Sequence, residues 1–156
     1  MGILNLTPDS FYDGGSHNNT DDVLRHCEKM LEEGADIIDI GAFSSRPGME
    51  VISSEEEMSR LRTGLKVIRE HCPEAVVSVD TFRADVAKMC VEEYGVAIIN
   101  DISAGQMDEQ MFPTIAKLGV PYIIMHMKGT PQNMQVSPKY DHFLKEIFYF
   151  FSEKVQ

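Results

Sequence analysis

The chain has no tryptophan, only three cysteines, and no apolar stretch near the roughly 20 residues that a membrane-crossing helix requires. Positive charge is scarce as well: 14 Lys and Arg stand against 25 Asp and Glu, for a net charge of -11. Nucleic-acid surfaces and anionic membranes demand clustered Lys and Arg, so neither is an expected partner. Cys27, Cys72 and Cys90 are odd in number, widely spaced and without a Cys-x-x-Cys pair. That usage argues against a disulfide framework or a zinc site and fits a reducing compartment. Cys27 lies in the helical pattern Val23, Leu24, Cys27, Met30, Leu31 and reads as a small core residue. Met1 runs directly into apolar sequence with no basic start or cleavage site, so the expected localisation is cytoplasmic.

What is present is a repeating grammar. The 156 residues suffice for one domain with a sizeable core, and an apolar fraction of 43% is ordinary for a globular protein. Five apolar runs alternate with helix-like stretches. Each is followed by a polar group: the first by Asn5, the others at Asp39, Asp80, Asn100-Asp101 and His126. Short apolar runs separated by helices read as parallel strands with crossover helices, covered on both faces. Their polar ends then share one face, and in a βα barrel ligands bind at that face.

The strands are expected at 2–6, 35–40, 75–79, 96–99 and 120–127. Helices are expected over 21–33, from Ser53 onward, over 83–94, over 108–118 and from about 138. Gly34 and Gly119 stop two of them, and Ser53 with Glu56 forms a capping box. Met58, Leu61, Leu65 and Ile68 give the second helix its apolar face. The last helix carries Tyr140, Phe143, Phe148, Tyr149, Phe150 and Phe151 almost all around it, more apolar surface than one contact covers. Five βα units make an α/β protein, a single domain over 1–156 that amounts to an incomplete TIM (β/α)8 barrel.

Five motifs then carry a family resemblance: Gly2-Ile3-Leu4-Asn5-Leu6-Thr7-Pro8-Asp9-Ser10-Phe11, Ser44-Ser45-Arg46-Pro47-Gly48, Ser78-Val79-Asp80-Thr81, Ile99-Asn100-Asp101-Ile102 and Met125-His126-Met127-Lys128-Gly129-Thr130-Pro131. Together, in this order and spacing, they resemble dihydropteroate synthase of folate biosynthesis, a pterin-binding TIM barrel. The resemblance implies condensation of 6-hydroxymethyl-7,8-dihydropterin pyrophosphate with para-aminobenzoate, giving 7,8-dihydropteroate and pyrophosphate. It also implies a magnesium ion and a homodimer.

Carried onto this chain, the family's site falls on residues of suitable chemistry. Asp80, Asn100 and Arg46 resemble the catalytic set. Ile3, Asp39, Asp80, Asn100, Ile102 and Met125 resemble the pterin pocket, where carboxylates and amides pair with ring nitrogens. Ser45, Arg46 and Pro47, with Thr7 and Asp9, resemble the aminobenzoate and pyrophosphate loops. Arg46 can also grip a phosphate oxygen with paired N–H donors. Asn5 resembles the residue at the magnesium-pyrophosphate end, where an amide oxygen suits a hard cation that keeps most of its waters. Asp101 is read as ordering its loop, and His126 as structural or pocket-lining.

The chain departs from the family in three places. Ser45 replaces the usual Thr, and Phe43 stands where an acid or amide is usual. The cationic residues of the family's last three strands are missing, so the chain by itself is expected to be inactive. The alternatives are a non-catalytic fragment or binding module, and a methyltetrahydrofolate methyltransferase type of barrel.

Overall fold

In the computed structural model, residues 1–6, 18–43, 52–131, 133–134 and 136–155 are described. Strands and helices alternate: β1 Gly2–Asn5, α1 Asn18–Glu32, β2 Ile37–Gly41, α2 Ser54–His71, β3 Val76–Asp80, α3 Ala84–Tyr94, β4 Ile98–Asp101, α4 Met111–Leu118, β5 Tyr122–Ile124 and α5 Phe143–Lys154. The five strands form one parallel sheet in the order β1-β2-β3-β4-β5. Sequential order with crossovers of one hand lays the helices side by side on a single face. Accordingly α1 packs on α2, α2 on α3, and α3 on α4.

Strand alternation assigns the two faces of the sheet. Leu4, Ile38, Ile40, Val77, Val79 and Ile99 are buried and point toward the helix layer, where they meet Cys27, Leu61, Leu65, Ile68, Val86 and Cys90. Burial pushes the Cys27 and Cys90 thiols up to about 12, so both behave as small apolar core groups. Helix and sheet approach closely at Gly64, where a Cβ would lie 2.7 Å from Leu6 Cδ1 and 2.9 Å from Ile40 Cδ1.

The predicted caps are present. The Glu56 amide donates to Ser53 Oγ at 3.2 Å at the start of α2, and Gly119 closes α4 in the left-handed region with φ 67°. Several boundaries differ from expectation, those of β5 and of the last helix among them. β5 is only three residues long, although Met125 N still donates to Asp101 O at 3.3 Å. The last helix begins at Phe143 rather than near 138, because residues 137–140 run as irregular chain whose Tyr140 ring packs against Phe143 and His126. No residue of α5 is buried, and Phe148 and Tyr149 are exposed, as the all-round aromatic pattern implied.

Candidate functional site

The strand register brings distant residues into two adjacent rows. In the upper row Asn5 pairs with Gly41, Gly41 with Asp80, Asp80 with Asn100, and Asn100 with Ile123. In the row beneath, Ile3 pairs with Asp39, Asp39 with Ser78, and Ser78 with Ile98. Every member of both rows has the parity opposite to the helix-facing core, so they share the other face of the sheet. The predicted common face is therefore real for Asn5, Asp39, Asp80 and Asn100.

Asp39 and Asn100 are joined directly, with the Asn100 amide donating to Asp39 Oδ2 at 3.1 Å. Asp39 is buried, and among the described residues its Oδ1 has no hydrogen-bond partner. The hydroxyl of Ser78, its neighbour in the row, is likewise buried and unpartnered. Unsatisfied buried polar atoms cost stability and are rare, and among the described residues two of them stand side by side on this face.

Asp80, the last residue of β3, is pushed up to about 7, first by burial and then by the negative charges of Asp39, Glu57 and Asp101. It makes no side-chain hydrogen bond among the described residues, and it does not cap α3. That role falls to Asp108, whose Oδ2 accepts from Ala84 N at 2.7 Å. A carboxylate crowded by like charges at the end of an apolar strand is poised to meet a cationic centre.

The structure corrects several expectations of placement. Asp39 is the third of five residues in β2, not its end, because the strand continues through Ile40 to Gly41. His126 lies two residues beyond β5, with its ring centroid 4.8 Å from Phe150 and 5.8 Å from Tyr140, so it anchors α5. Asp101 faces the helix side and orders its loop: Oδ1 accepts from Ser103 N at 2.7 Å, and Oδ2 from Gly105 N at 2.8 Å and from the Tyr122 hydroxyl at 2.5 Å. Ile3 is on the site face but 68% exposed, Met125 is 36% exposed, and Ile102 is half-buried in the turn after β4. Thr7, Asp9, Ser45, Arg46 and Pro47 lie outside the described residues.

Two further residues belong to this region and were not singled out from sequence. Ser78 was signalled by its place two residues before Asp80, hence on the same face. Glu57 is wholly buried in the first turn of α2 and ion-paired to Arg83. Its signal was position: it stands four residues before Leu61 and so extends that helix's apolar stripe. Burial raises the Glu57 carboxyl, opposed by the Thr81 hydroxyl and the Arg83 charge. Among the described residues no group of three or more His, Cys, Asp or Glu could hold a metal ion.

Comparison with known proteins agrees with this geometry. Dihydropteroate synthase of Escherichia coli is 41% identical over 155 residues, which is 99% of this chain and 54% of that protein. The mitochondrial folate synthesis bifunctional protein of Pisum sativum is 49% identical over 152 residues, 94% of this chain and 29% of that protein. A dihydropteroate synthase structure from Clostridium difficile, determined in the presence of pteroic acid, superposes with a TM-score of 0.86 at 37% identity, covering 99% of this chain and 56% of the other. The chain thus spans about half the length of the bacterial relatives and less than a third of the plant one. The family of pterin binding enzymes matches residues 1–156 in full, and the chain belongs to it.

Proposed function

We propose that this chain supplies the pterin-binding face of a dihydropteroate synthase, which joins 6-hydroxymethyl-7,8-dihydropterin pyrophosphate to para-aminobenzoate. The observation that carries the reading is the buried Asp39 Oδ1, without a partner among the described residues, beside Ser78, with Asn100 and Asp80 in the adjoining row. A pterin edge offers ring N–H and amino donors for these oxygens and acceptors for the Asn100 amide. The relatives support the substrates, since pteroic acid contains both a pterin and an aminobenzoate.

The reaction breaks the bond between the pterin methylene and pyrophosphate oxygen, and the electron pair leaves with pyrophosphate. The aminobenzoate nitrogen forms the new bond to that carbon and releases a proton to solvent. Ionised Asp80 favours the positive charge that grows on the methylene, an electrostatic contribution that peaks in the transition state. Ser45, Arg46 and Pro47, with Thr7 and Asp9, are proposed to receive the aminobenzoate and the pyrophosphate.

Magnesium belongs to the same proposal. Asn5 is exposed at the end of β1, one strand from Gly41 and two from Asp80 in the same row, and Gly41 puts no side chain between them. Asn5 would hold the ion through its amide oxygen, a donor that suits a hard cation keeping most of its waters. When bound, the ion neutralises charge on the departing pyrophosphate.

A homodimer and a cytoplasmic compartment complete the reading. The exposed Phe148 and Tyr149 of α5 offer apolar area to a second copy, and the free thiols fit a reducing compartment. The Pisum sativum relative is named as mitochondrial, so fractionation decides the compartment. The direct test is product formation by the protein at its full encoded length. Wild type is expected to make dihydropteroate, and Asp39→Ala and Asn100→Ala to lose pterin affinity. Pterin binding without any product would limit the role to binding.

A further inference from the structure

We propose that Arg83, seated on Glu57, is a positioning residue that joins the segment after Asp80 to both flanks of the connection between β2 and α2, and through those flanks sets affinity for the aromatic amine substrate. The inference rests on the dihydropteroate synthase reading above. One guanidinium makes every contact. Its Nη1 donates to Glu57 Oε2, and its Nη2 donates to the backbone carbonyl of Ile52 at 2.7 Å. Its guanidinium carbon lies over two rings, 5.7 Å from the Phe43 centroid and 5.0 Å from that of Phe82. Those rings meet edge to face at 5.0 Å.

Phe43 and Ile52 are the described residues that flank 44–51 on either side, so a single side chain touches both. Arg83 itself stands three residues after Asp80. Glu57 is wholly buried, and a buried carboxylate persists only with a partner of fixed geometry. This gives Phe43 a physical role. At a position where an acid would compete with Glu57 for Arg83, an aromatic ring instead lies under the guanidinium and leaves its N–H donors to Glu57 and Ile52. Lysine has neither the planar fork nor the flat face.

The pterin-facing residues are held differently. Asp39, Asp80 and Asn100 are fixed by strand register, whereas Arg83 holds what connects the strands. Loosening Arg83 therefore separates the two substrates. In the protein at its full encoded length, Arg83→Lys is expected to raise KM for para-aminobenzoate about tenfold while KM for the pterin pyrophosphate stays within about twofold.

The double variant Glu57→Gln/Arg83→Met removes both charges together, avoids leaving one buried and unpaired, and is expected to show the same split. A readout independent of turnover is cleavage by a glutamate-specific protease after Glu50, which both variants are expected to accelerate about tenfold relative to wild type by freeing the flanks. Equal rises in both KM values, or unchanged kinetics, would overturn the proposal. If the wild type forms no dihydropteroate, the functional reading falls, and the cleavage rate alone decides: acceleration supports the positioning role and an unchanged rate refutes it.

Discussion

Replacing Asp80 with Asn is expected to make the protein more stable above neutral pH and less active, a pairing that follows from one titration. The Asp80 carboxyl is pushed from its ordinary 3.8 up to about 7 by burial and by the charges of Asp39, Glu57 and Asp101. In the unfolded chain the same group loses its proton near its ordinary value. Between the two values the native state holds a proton that the unfolded state has released. Stability must therefore fall as pH rises through that window, and level off above it. The gap converts to an upper limit of about 4 kcal/mol, and since part of the side chain meets solvent we expect about 2 kcal/mol. Asn is nearly isosteric and neutral throughout, and Asp80 has no side-chain hydrogen bond among the described residues for it to break.

Urea unfolding of both proteins should give a difference near zero at about pH 4 that grows to about 2 kcal/mol in favour of Asn at about pH 8. Turnover runs the other way. Wild-type kcat/KM should climb as Asp80 ionises, and the variant should lose that rise together with most of kcat. A stability difference that ignores pH, or an Asn variant less stable at high pH, would show that the carboxylate is satisfied rather than crowded. Unchanged turnover at saturating substrate would remove Asp80 from the chemistry.

Three further outcomes are expected. Chelating magnesium should abolish binding of the pterin pyrophosphate but spare a pterin without phosphate, and Asn5→Ala should raise the half-saturating magnesium concentration about tenfold, both measured by calorimetry. Tyr122→Phe should cost about 2 kcal/mol in chemical denaturation, because the buried Asp101 carboxylate loses a charged hydrogen bond. Gly64→Val should cost at least about 2 kcal/mol in the same assay, since β-branched bulk meets Leu6 and the fully buried Ile40; an unchanged midpoint would show that the helix can shift.

The βα alternation, the Ser53 cap and the shared face of Asp80 and Asn100 were legible because each follows from local pattern: an apolar run, a capping residue, a period of two. Asp39 was found but placed at a strand end, since sequence does not show that pairing with β1 and β3 continues through Gly41. Glu57 was hidden by its neighbours. In Glu55-Glu56-Glu57 three acids look like one solvated first turn, and only packing separates the one that turns inward to meet Arg83. Phe43 had no explanation until the ring could be set against Phe82 and the guanidinium. Non-local contacts of this kind leave no periodic trace.

The alternation of the central strands has a consequence for how this protein can vary. Along Val76–Asp80, odd and even letters answer to different demands, Val77 and Val79 to the helix layer, Ser78 and Asp80 to chemistry. Mutational tolerance should thus beat with a period of two, and a variant library would sort into alternating columns of lost stability and lost turnover. Single-residue deletion is the harshest lesion available to such a strand: it would turn Asp80 toward Leu61 and Leu65 and bring a valine out to the substrate, spoiling both columns in one event. Insertions and deletions should therefore be confined to the connections, leaving the strands to change only by substitution.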